Sequence, residues 1–265
     1  MKVRLDKLLV ERGMVASRER AQAMVLAGRV LVGGQKVEKA GAGVDPEADI
    51  RLLGEDLKYV GRGGLKLEAA LDHWKIDPAG RACLDVGAST GGFTDCLLQR
   101  GAAQVIAVDT GYGQIASKLR SDPRVTLLEK TNARFLTAEH LRGARAAITL
   151  VAIDVSFISV TLILPAVVAA VSEAVTPGEA PFKASAVSRE ALRQRDLFVL
   201  VKPQFEAGRS AVGKGGIVRN PQVQQSAVAK VAATVTELGA RNVEVMESPI
   251  QGMEGNREFF LHAEF

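Results

Sequence analysis

A glycine-rich turn between residues 84 and 94 has the residue types and spacing of a ligand-binding loop. The sequence there is Leu-Asp-Val-Gly-Ala-Ser-Thr-Gly-Gly-Phe-Thr, in which an apolar run reaches Asp85 before the chain turns through glycines. Such a turn at the carboxyl end of a strand brings backbone N–H groups and a helix N-terminus close to a nucleotide-like ligand. The glycine order differs from that of NAD-binding loops, and the Gly-Lys-Ser/Thr of a P-loop is missing. The turn predicts a nucleotide-like ligand of another kind; a loop that binds nothing is the alternative.

A second acidic residue, Asp109, ends the apolar run 105–108. A strand-end carboxylate about 20 residues beyond such a loop can accept hydrogen bonds from ribose hydroxyls. Loop and acid together resemble the S-adenosylmethionine site of class I methyltransferases. The resemblance implies that the cofactor is contacted by ten residues: Asp85, Gly87, Ala88, Ser89, Gly91, Gly92, Phe93, Asp109, Asn132 and Asp154.

Four charged residues that adjoin apolar elements are candidate catalytic groups. Asp154 follows a buried-looking run, Lys202 ends the run 197–201, Glu258 precedes two phenylalanines, and Lys66 lies on a predicted helix before the glycine turn. Each alone has the look of an ordinary strand-end or helix charge. Together the four residues could act on a hydroxyl in either of two ways. A lysine in its neutral form could accept the hydroxyl proton, or a lysine in its ammonium form could stabilise developing negative charge. The residues themselves leave this choice open.

Alternating apolar and amphipathic stretches predict the fold of residues 65–265. Candidate strands cover residues 82–86, 104–108, 124–129, 147–153, 197–202, 242–246 and 257–262, with helical patterns between them. Alternation of this kind predicts an α/β fold with a doubly wound, Rossmann-like parallel sheet and a late antiparallel strand.

The N-terminal part of the chain is basic, whereas the rest is neutral. Residues 1–66 contain 13 Lys/Arg and 9 Asp/Glu, and residues 1–36 alone contain 8 and 3. Two short apolar stripes end at Gly13 and Gly28, Ser17 is a plausible N-cap, and short strands and an acidic, turn-rich stretch follow. A small basic module predicts a polyanionic partner. A solvated basic face without a partner is the alternative.

The order of glycines, charges and apolar positions in residues 3 to 53 resembles the S4 RNA-binding domain. Further on, six motifs follow one another along the chain. They are Arg62-Gly63-Gly64-Leu65-Lys66-Leu67, the glycine turn, Asp109-Thr110-Gly111-Tyr112-Gly113-Gln114, Thr131-Asn132-Ala133-Arg134, Asp154-Val155-Ser156-Phe157-Ile158-Ser159 and Val201-Lys202-Pro203-Gln204-Phe205-Glu206. Together they resemble the TlyA family, in which an S4 domain precedes an FtsJ-like methyltransferase domain. The resemblance implies RNA contacts by Arg4, Lys7, Arg18, Arg20, Arg29 and Arg62.

The resemblance also implies an organisation and an activity. We expect an S4-like domain over residues 1–56, a linker over 57–64 and an FtsJ-like domain over 65–265. The Lys-Asp-Lys-Glu tetrad of FtsJ-like enzymes falls on Lys66, Asp154, Lys202 and Glu258. The expected reaction is S-adenosylmethionine-dependent 2′-O-methylation of cytidine in 23S, and in some members 16S, ribosomal RNA within ribosomal subunits. A polar stretch over 176–195 looks longer than the connection usual in the family. The C-terminal helical extension of some members is missing, which leaves open whether both ribosomal subunits are substrates.

Other classes of protein find less support. Cys83 and Cys96 suggest buried, reduced thiols, and no His or Cys cluster has metal-ligand spacing, so we expect no metal. The apolar stretch 146–171 is broken by Asp154 and Pro165, which argues against stable membrane insertion. The chain opens without a secretory signal pattern, so a cytoplasmic location is expected. The alternatives are an RNA-binding factor without catalysis and, from an old label of the family, a membrane-active hemolysin.

Overall fold

The computed structural model describes residues 2–15, 17–53, 58–174, 195–208, 211–252 and 255–265 of the 265-residue chain. The chain divides into two compact units, Met1–Leu57 (unit 1) and Lys58–Phe265 (unit 2). Apart from Arg195, the polar stretch predicted over 176–195 lies outside the described residues.

Unit 1 consists of two short helices and two small sheets. β1 (Val3–Arg4) pairs antiparallel with β4 (Gly43–Val44), and α1 (Leu5–Glu11) and α2 (Arg18–Leu26) follow β1. A three-stranded sheet has the order β3 (Gln35–Lys36), β2 (Val30–Val32), β5 (Ile50–Leu52). The apolar stripes of both helices form the core, and Ser17 caps α2 by accepting from the Arg20 N–H at 3.2 Å, as predicted.

A buried carboxylate joins the two helices of unit 1. Asp6, which is 0% exposed, accepts from Arg4 Nε at 3.0 Å and from Arg4 Nη2 at 2.9 Å, and from Arg18 Nε and Gln22 Nε2 at 3.0 Å each. The hydrogen bond from Arg4, helped by Gln22 and Arg18, holds the pKa of Asp6 well below its usual range against the opposing effect of burial. Arg4 and Arg18 therefore stabilise the unit, although 48% and 47% of their side chains remain exposed to solvent.

Replacing Asp6 by Asn should destabilise unit 1 by about 1–3 kcal/mol at neutral pH, because hydrogen bonds to a buried charge are lost. The pKa of Asp6 is depressed, so its stabilisation exists above the ordinary aspartate pKa and disappears as the folded protein takes up the proton. The difference from wild type should therefore shrink below about pH 4. Hydrogen exchange of unit 1 amides in the full chain measures this. Asp49→Asn, which affects an exposed pair with Arg51, is the control and should have little effect. Equal effects of the two substitutions would contradict the assignment.

Unit 2 is built on a seven-stranded sheet with the order β11-β12-β10-β9-β6-β7-β8. In chain order the strands are β6 (Ala82–Val86), β7 (Gln104–Val108), β8 (Val125–Leu128), β9 (Ile148–Ile153), β10 (Asp196–Val201), β11 (Arg241–Glu247) and β12 (Phe259–Glu264). β12 runs antiparallel to both of its neighbours, and the other pairings are parallel. The predicted mixed, doubly wound sheet is confirmed, with β6 and β7 at the predicted bounds and the other strands within two residues of theirs.

Helices cover both faces of this sheet. They are α3 (Arg62–Trp74), α4 (Gly92–Gln99), α5 (Ser117–Arg120), α6 (Leu164–Glu173), α7 (Pro203–Glu206) and α8 (Pro221–Glu237). One apolar core includes residues of α3, α4 and α5, and the other includes residues of α6 and α8. Within the described part of the chain, no helix is both long enough and apolar enough to cross a membrane.

The predicted linker over residues 57–64 is wrong for its greater part, because residues from Lys58 onward belong to unit 2. α3 begins at Arg62 rather than near Leu65. Tyr59 is 1% exposed within the core, and its hydroxyl donates to Glu68 Oε1 at 2.9 Å. Gly64 makes room for this ring, since a Cβ there would collide with it. A buried aromatic residue anchors the segment that was predicted as a linker.

Candidate active site

A cavity of about 500 Å³ lies at the carboxyl edge of the sheet in unit 2. The glycine turn after β6, the first residues of α3, and the segments after β9 and β10 form its walls. All four predicted catalytic residues line it: Lys66, Asp154, Lys202 and Glu258. Parallel strands end at the same edge of a sheet, which is why residues so far apart in the chain meet here.

The four charged residues form two ion pairs across the cavity wall. Lys66 Nζ lies 2.5 Å from Glu258 Oε2, which links α3 to the residue just before β12. Lys202 Nζ lies 2.6 Å from Asp154 Oδ1, which links the ends of β10 and β9. Between 3% and 22% of each of these side chains is exposed, so the charges are held in a largely dehydrated setting. Each lysine thus has its own carboxylate.

The two pairs differ in how the lysine is hydrogen-bonded. Lys66 donates to Glu258, whereas the short contact between Lys202 and Asp154 lacks hydrogen-bond alignment, and Asp154 Oδ1 has no hydrogen-bond partner among the described residues. We therefore regard the second contact as an ion pair only. Lys202 Nζ donates its hydrogen bond to Ser156 Oγ at 2.8 Å.

A second cavity, of about 410 Å³, adjoins the first along the glycine turn and contains Asp109 and Asn132. Both oxygens of Asp109 accept backbone N–H groups, from Ser89 at 2.7 Å and from Gly111 at 2.6 Å. Each carboxylate oxygen keeps a further lone pair for a ligand. Asn132 Oδ1 accepts from the Arg134 N–H at 3.0 Å. The two cavities share Gly87, Ser89, Asp154, Ser156 and Phe157, so an elongated ligand can occupy both.

Gly87 allows the glycine turn and the Asp154 segment to approach each other closely. Its φ is +90°, and a Cβ at this position would collide with the carbonyl oxygen of Asp154. Only glycine accepts this backbone conformation and this contact together. The approach places the turn beside Asp154, which the chain order alone would leave far away.

Two of the predicted cofactor contacts, Asp85 and Gly91, line neither cavity. Asp85 is 0% exposed and accepts from Thr94 Oγ1 at 2.6 Å, which ties β6 to α4. Burial raises the pKa of Asp85 to about 7. Gly91 has a φ of +97° and packs against Leu119 and Ile115. Both support the turn from behind. The remaining predicted contacts line at least one of the cavities.

Several residues of the cavity walls were not predicted as site residues. Ser156 and Phe157 line both cavities, and they belong to the motif 154–159, in which neither was predicted to have a role. Phe157 is 90% exposed. The signal in the sequence was an aromatic residue three positions after a charged strand end. Asn256 holds the segment opposite by accepting from Val218 N–H and donating to Gly216 O, each at 3.0 Å, and nothing in the sequence marked it. Of the predicted RNA contacts, Arg62 lines the larger cavity.

Comparison with known proteins agrees with this division of the chain. Residues 3–50 match the S4 domain, and residues 59–265 match the FtsJ-like methyltransferase family. The fold and the site therefore define an FtsJ-like methyltransferase preceded by an S4 domain.

Relatives over nearly the full length narrow the assignment. The chain is 43% identical, over 98% of its length and 89% of the relative's, to the 16S/23S rRNA (cytidine-2′-O)-methyltransferase TlyA of Mycobacterium tuberculosis strain CDC 1551 / Oshkosh. It is 37% identical, over 98% of its length and 99% of the relative's, to hemolysin A of Brachyspira hyodysenteriae. A solved structure described as a hemolysin of Streptococcus thermophilus superposes with a TM-score of 0.69 at 38% identity, covering 99% of this chain and 88% of that one. The chain belongs to the TlyA family.

Gly87→Ala should weaken binding of S-adenosylmethionine at least tenfold, a rough expectation for a binding loop pushed away from its wall. Isothermal titration calorimetry measures the affinity. Gly80→Ala is the matched control, because Gly80 also has a positive φ, +71°, but has open space where the Cβ would lie. The control should lose a little stability and keep its affinity. Retained affinity in Gly87→Ala would contradict the role of the close approach.

Proposed function

We propose that this protein transfers the methyl group of S-adenosylmethionine to the ribose 2′-hydroxyl of a cytidine in ribosomal RNA. The observation that carries the proposal is the pair of lysine–carboxylate contacts on the wall of a cavity that continues into the glycine turn. Basic and acidic groups held this close at the end of a cofactor-sized cleft suit the activation of a hydroxyl.

The residues around the two cavities fit the cofactor. The glycine turn offers backbone without side chains near Gly87, and a Cβ there would intrude on the wall. In our proposal Asp109 holds the ribose hydroxyls, Asn132 borders the adenine, and Gly87, Ala88, Ser89, Gly92 and Phe93 border the methionine part. When bound, S-adenosylmethionine supplies an activated methyl group on a positively charged sulfur. The negative charge of Asp154, which lines both cavities, favours a cation at their junction.

Lys202 is the residue that we assign to the attacking hydroxyl. A lysine ammonium has three N–H donors. One is engaged by Ser156, and the adjacent Asp154 balances the charge, which leaves a donor for the hydroxyl oxygen. In this position Lys202 orients the oxygen and stabilises the negative charge that develops on it, while the hydroxyl proton leaves to solvent water.

Lys66 provides a second positive charge on the same wall. Its hydrogen bond to Glu258 fixes the direction of its ammonium, and Gly252 makes room for the Glu258 carboxylate, because a Cβ there would collide with it. A cation held in place in a dehydrated site stabilises developing negative charge more than a solvated one does. We assign Lys66 to charge stabilisation and Glu258 to its orientation.

The RNA substrate is supported by both units. Unit 1 has the S4 fold, and the ammonium of Lys7 and the guanidinium of Arg29 have no ion-pair partner among the described residues of the chain. In unit 2, the exposed ring of Phe157 at the cavity rim offers a flat face to an unstacked base. The named substrate of the Mycobacterium tuberculosis relative directs the proposal to ribosomal RNA, and so to the cytoplasm, where ribosomes are.

Purified protein should transfer radiolabelled methyl groups from S-adenosylmethionine to unmethylated ribosomal subunits, and Lys202→Ala should lower the rate at least a hundredfold, a rough value for loss of a charged group at a reacting oxygen. Parallel reactions on 30S and 50S subunits show which one is the substrate. Calorimetry should show that the variant still binds S-adenosylmethionine. A wild-type protein that binds the cofactor and labels neither subunit would contradict the proposal.

Lys7→Ala and Arg29→Ala should each weaken binding to the RNA of the methylated subunit and reduce the slope of log affinity against log salt by about one. Filter binding over a range of salt concentrations measures both quantities. Arg142→Ala is the control. It removes one positive charge on the edge of the sheet opposite the cavity. Its neighbour Gly143 lies at that edge, because the Gly143 carbonyl accepts a hydrogen bond from Gln104 at the amino end of β7. Binding that does not respond to salt would exclude a phosphate-dominated contact.

A further inference from the structure

Ser156 contacts the lysine that we assign to the attacking hydroxyl. Its hydroxyl lies on the walls of both cavities and accepts a hydrogen bond from Lys202 Nζ at 2.8 Å. Among the described residues, this is the one aligned hydrogen bond that the Lys202 amine makes. The nearby Asp154 carboxylate attracts the same nitrogen at 2.6 Å without hydrogen-bond alignment. Charge attraction sets the distance of the amine, and Ser156 sets its direction.

The segment that bears Ser156 does not depend on this hydroxyl for its position. At its beginning, the Asp154 N–H donates to Val86 O at 2.9 Å. At its end, the Val160 N–H donates to Glu206 Oε1 at 2.7 Å, and Ser159 Oγ donates to Glu206 Oε2 at 2.5 Å. Glu206 belongs to α7, which begins directly after Lys202. The carboxylate therefore joins the Asp154 segment to the Lys202 segment from behind.

A ring contact also joins the Ser156 segment to α7, and the backbone of this segment is strained. The centroids of Phe157 and Phe205 lie 5.3 Å apart, and Phe205 is also part of α7. Phe157 has a φ of +65°, a left-handed conformation that side chains with a Cβ rarely adopt. Strain of this kind persists where surrounding contacts hold the backbone, and it gathers at functional sites. Here the strained residue directly follows Ser156.

We propose that Ser156 is a positioning residue for the methyl transfer, which fixes the Lys202 amine toward the attacking 2′-hydroxyl while Glu206 holds the segment rigid. This inference rests on the proposed function, because it assigns Ser156 to the same reaction. It adds to the two ion pairs a neutral group whose one side-chain partner, within the described part of the chain, is the lysine at the reacting oxygen.

Steady-state kinetics on ribosomal subunits separate positioning from binding. Ser156→Ala should lower kcat about tenfold or more, because a hydrogen bond that orients a charged group is lost. The KM for the subunit and the affinity for S-adenosylmethionine should stay within about twofold of wild type. Ser156→Thr keeps the hydroxyl and should restore most of kcat. A loss that appears in KM alone, or a Thr variant as slow as the Ala variant, would overturn the inference.

Nuclear magnetic resonance of the lysine amines tests the same contact without any turnover. In ¹⁵N-labelled protein, an ammonium held by hydrogen bonds exchanges its protons with water slowly enough to give a cross-peak, and Lys202→Arg identifies the one from Lys202. We expect this cross-peak in wild type and in Ser156→Thr, and its loss or broadening in Ser156→Ala. An unchanged cross-peak in Ser156→Ala would overturn the inference whatever the activity.

The two experiments also distinguish failure of the inference from failure of the proposed function. If wild type shows the Lys202 cross-peak and the Ala variant loses it, but no subunit is methylated, the contact is real and the reaction is a different one. In that outcome the role of Ser156 in 2′-O-methylation falls together with the proposed function. If wild type is active and the Ala variant is equally active, the proposed function stands and the inference on Ser156 alone is wrong.

Discussion

The close approach of Gly87 to the backbone of Asp154 is the constraint on which the site depends. Neither residue can retreat, because each follows a buried central strand and the two strands are neighbours in the sheet. With any side chain at position 87, the turn would be pushed away from the carbonyl of Asp154. The absence of one Cβ thus lets the glycine turn and the Asp154 segment share a wall. A reaction between two bound molecules requires this proximity before any chemical group can act.

The two ion pairs then distribute the charges of the site. Lys66 and Glu258 come from opposite ends of unit 2, so their contact needs the whole sheet to be assembled with β12 inserted next to β10. Burying such charges is costly unless they are paired. The fold meets this cost with complete pairs and leaves the second lysine, Lys202, with a carboxylate and a hydroxyl as neighbours. Pairing brings the net charge of these four groups to zero, and the hydroxyl adds direction.

Much of the fold could be predicted from the sequence because apolar runs clearly mark the central strands. β6 and β7 are short, largely apolar runs, with Asp85 next to the last residue of β6 and Asp109 directly after β7, and both strands were predicted at their true bounds. The strand Ile50–Leu52 was missed, because acidic and turn-forming residues surround it and its pairing with β2 is a tertiary effect. The segment after Leu57 was misjudged for a related reason. It was predicted as a linker, but Tyr59 packs into the core and fixes it.

The site was predictable at the level of its charged residues and less so in its detail. Motifs reveal which groups are present, but the sequence does not show whether Asp85 faces the ligand or the interior, nor that Lys202 turns to Ser156.

The central claim concerns the atom that receives the methyl group. It is tested most directly by mass spectrometry of nucleosides from subunit RNA incubated with the protein and S-adenosylmethionine. Our account predicts new 2′-O-methylcytidine and no other new methylated nucleoside. Methylation on a base, or on the ribose of another nucleoside, would contradict it.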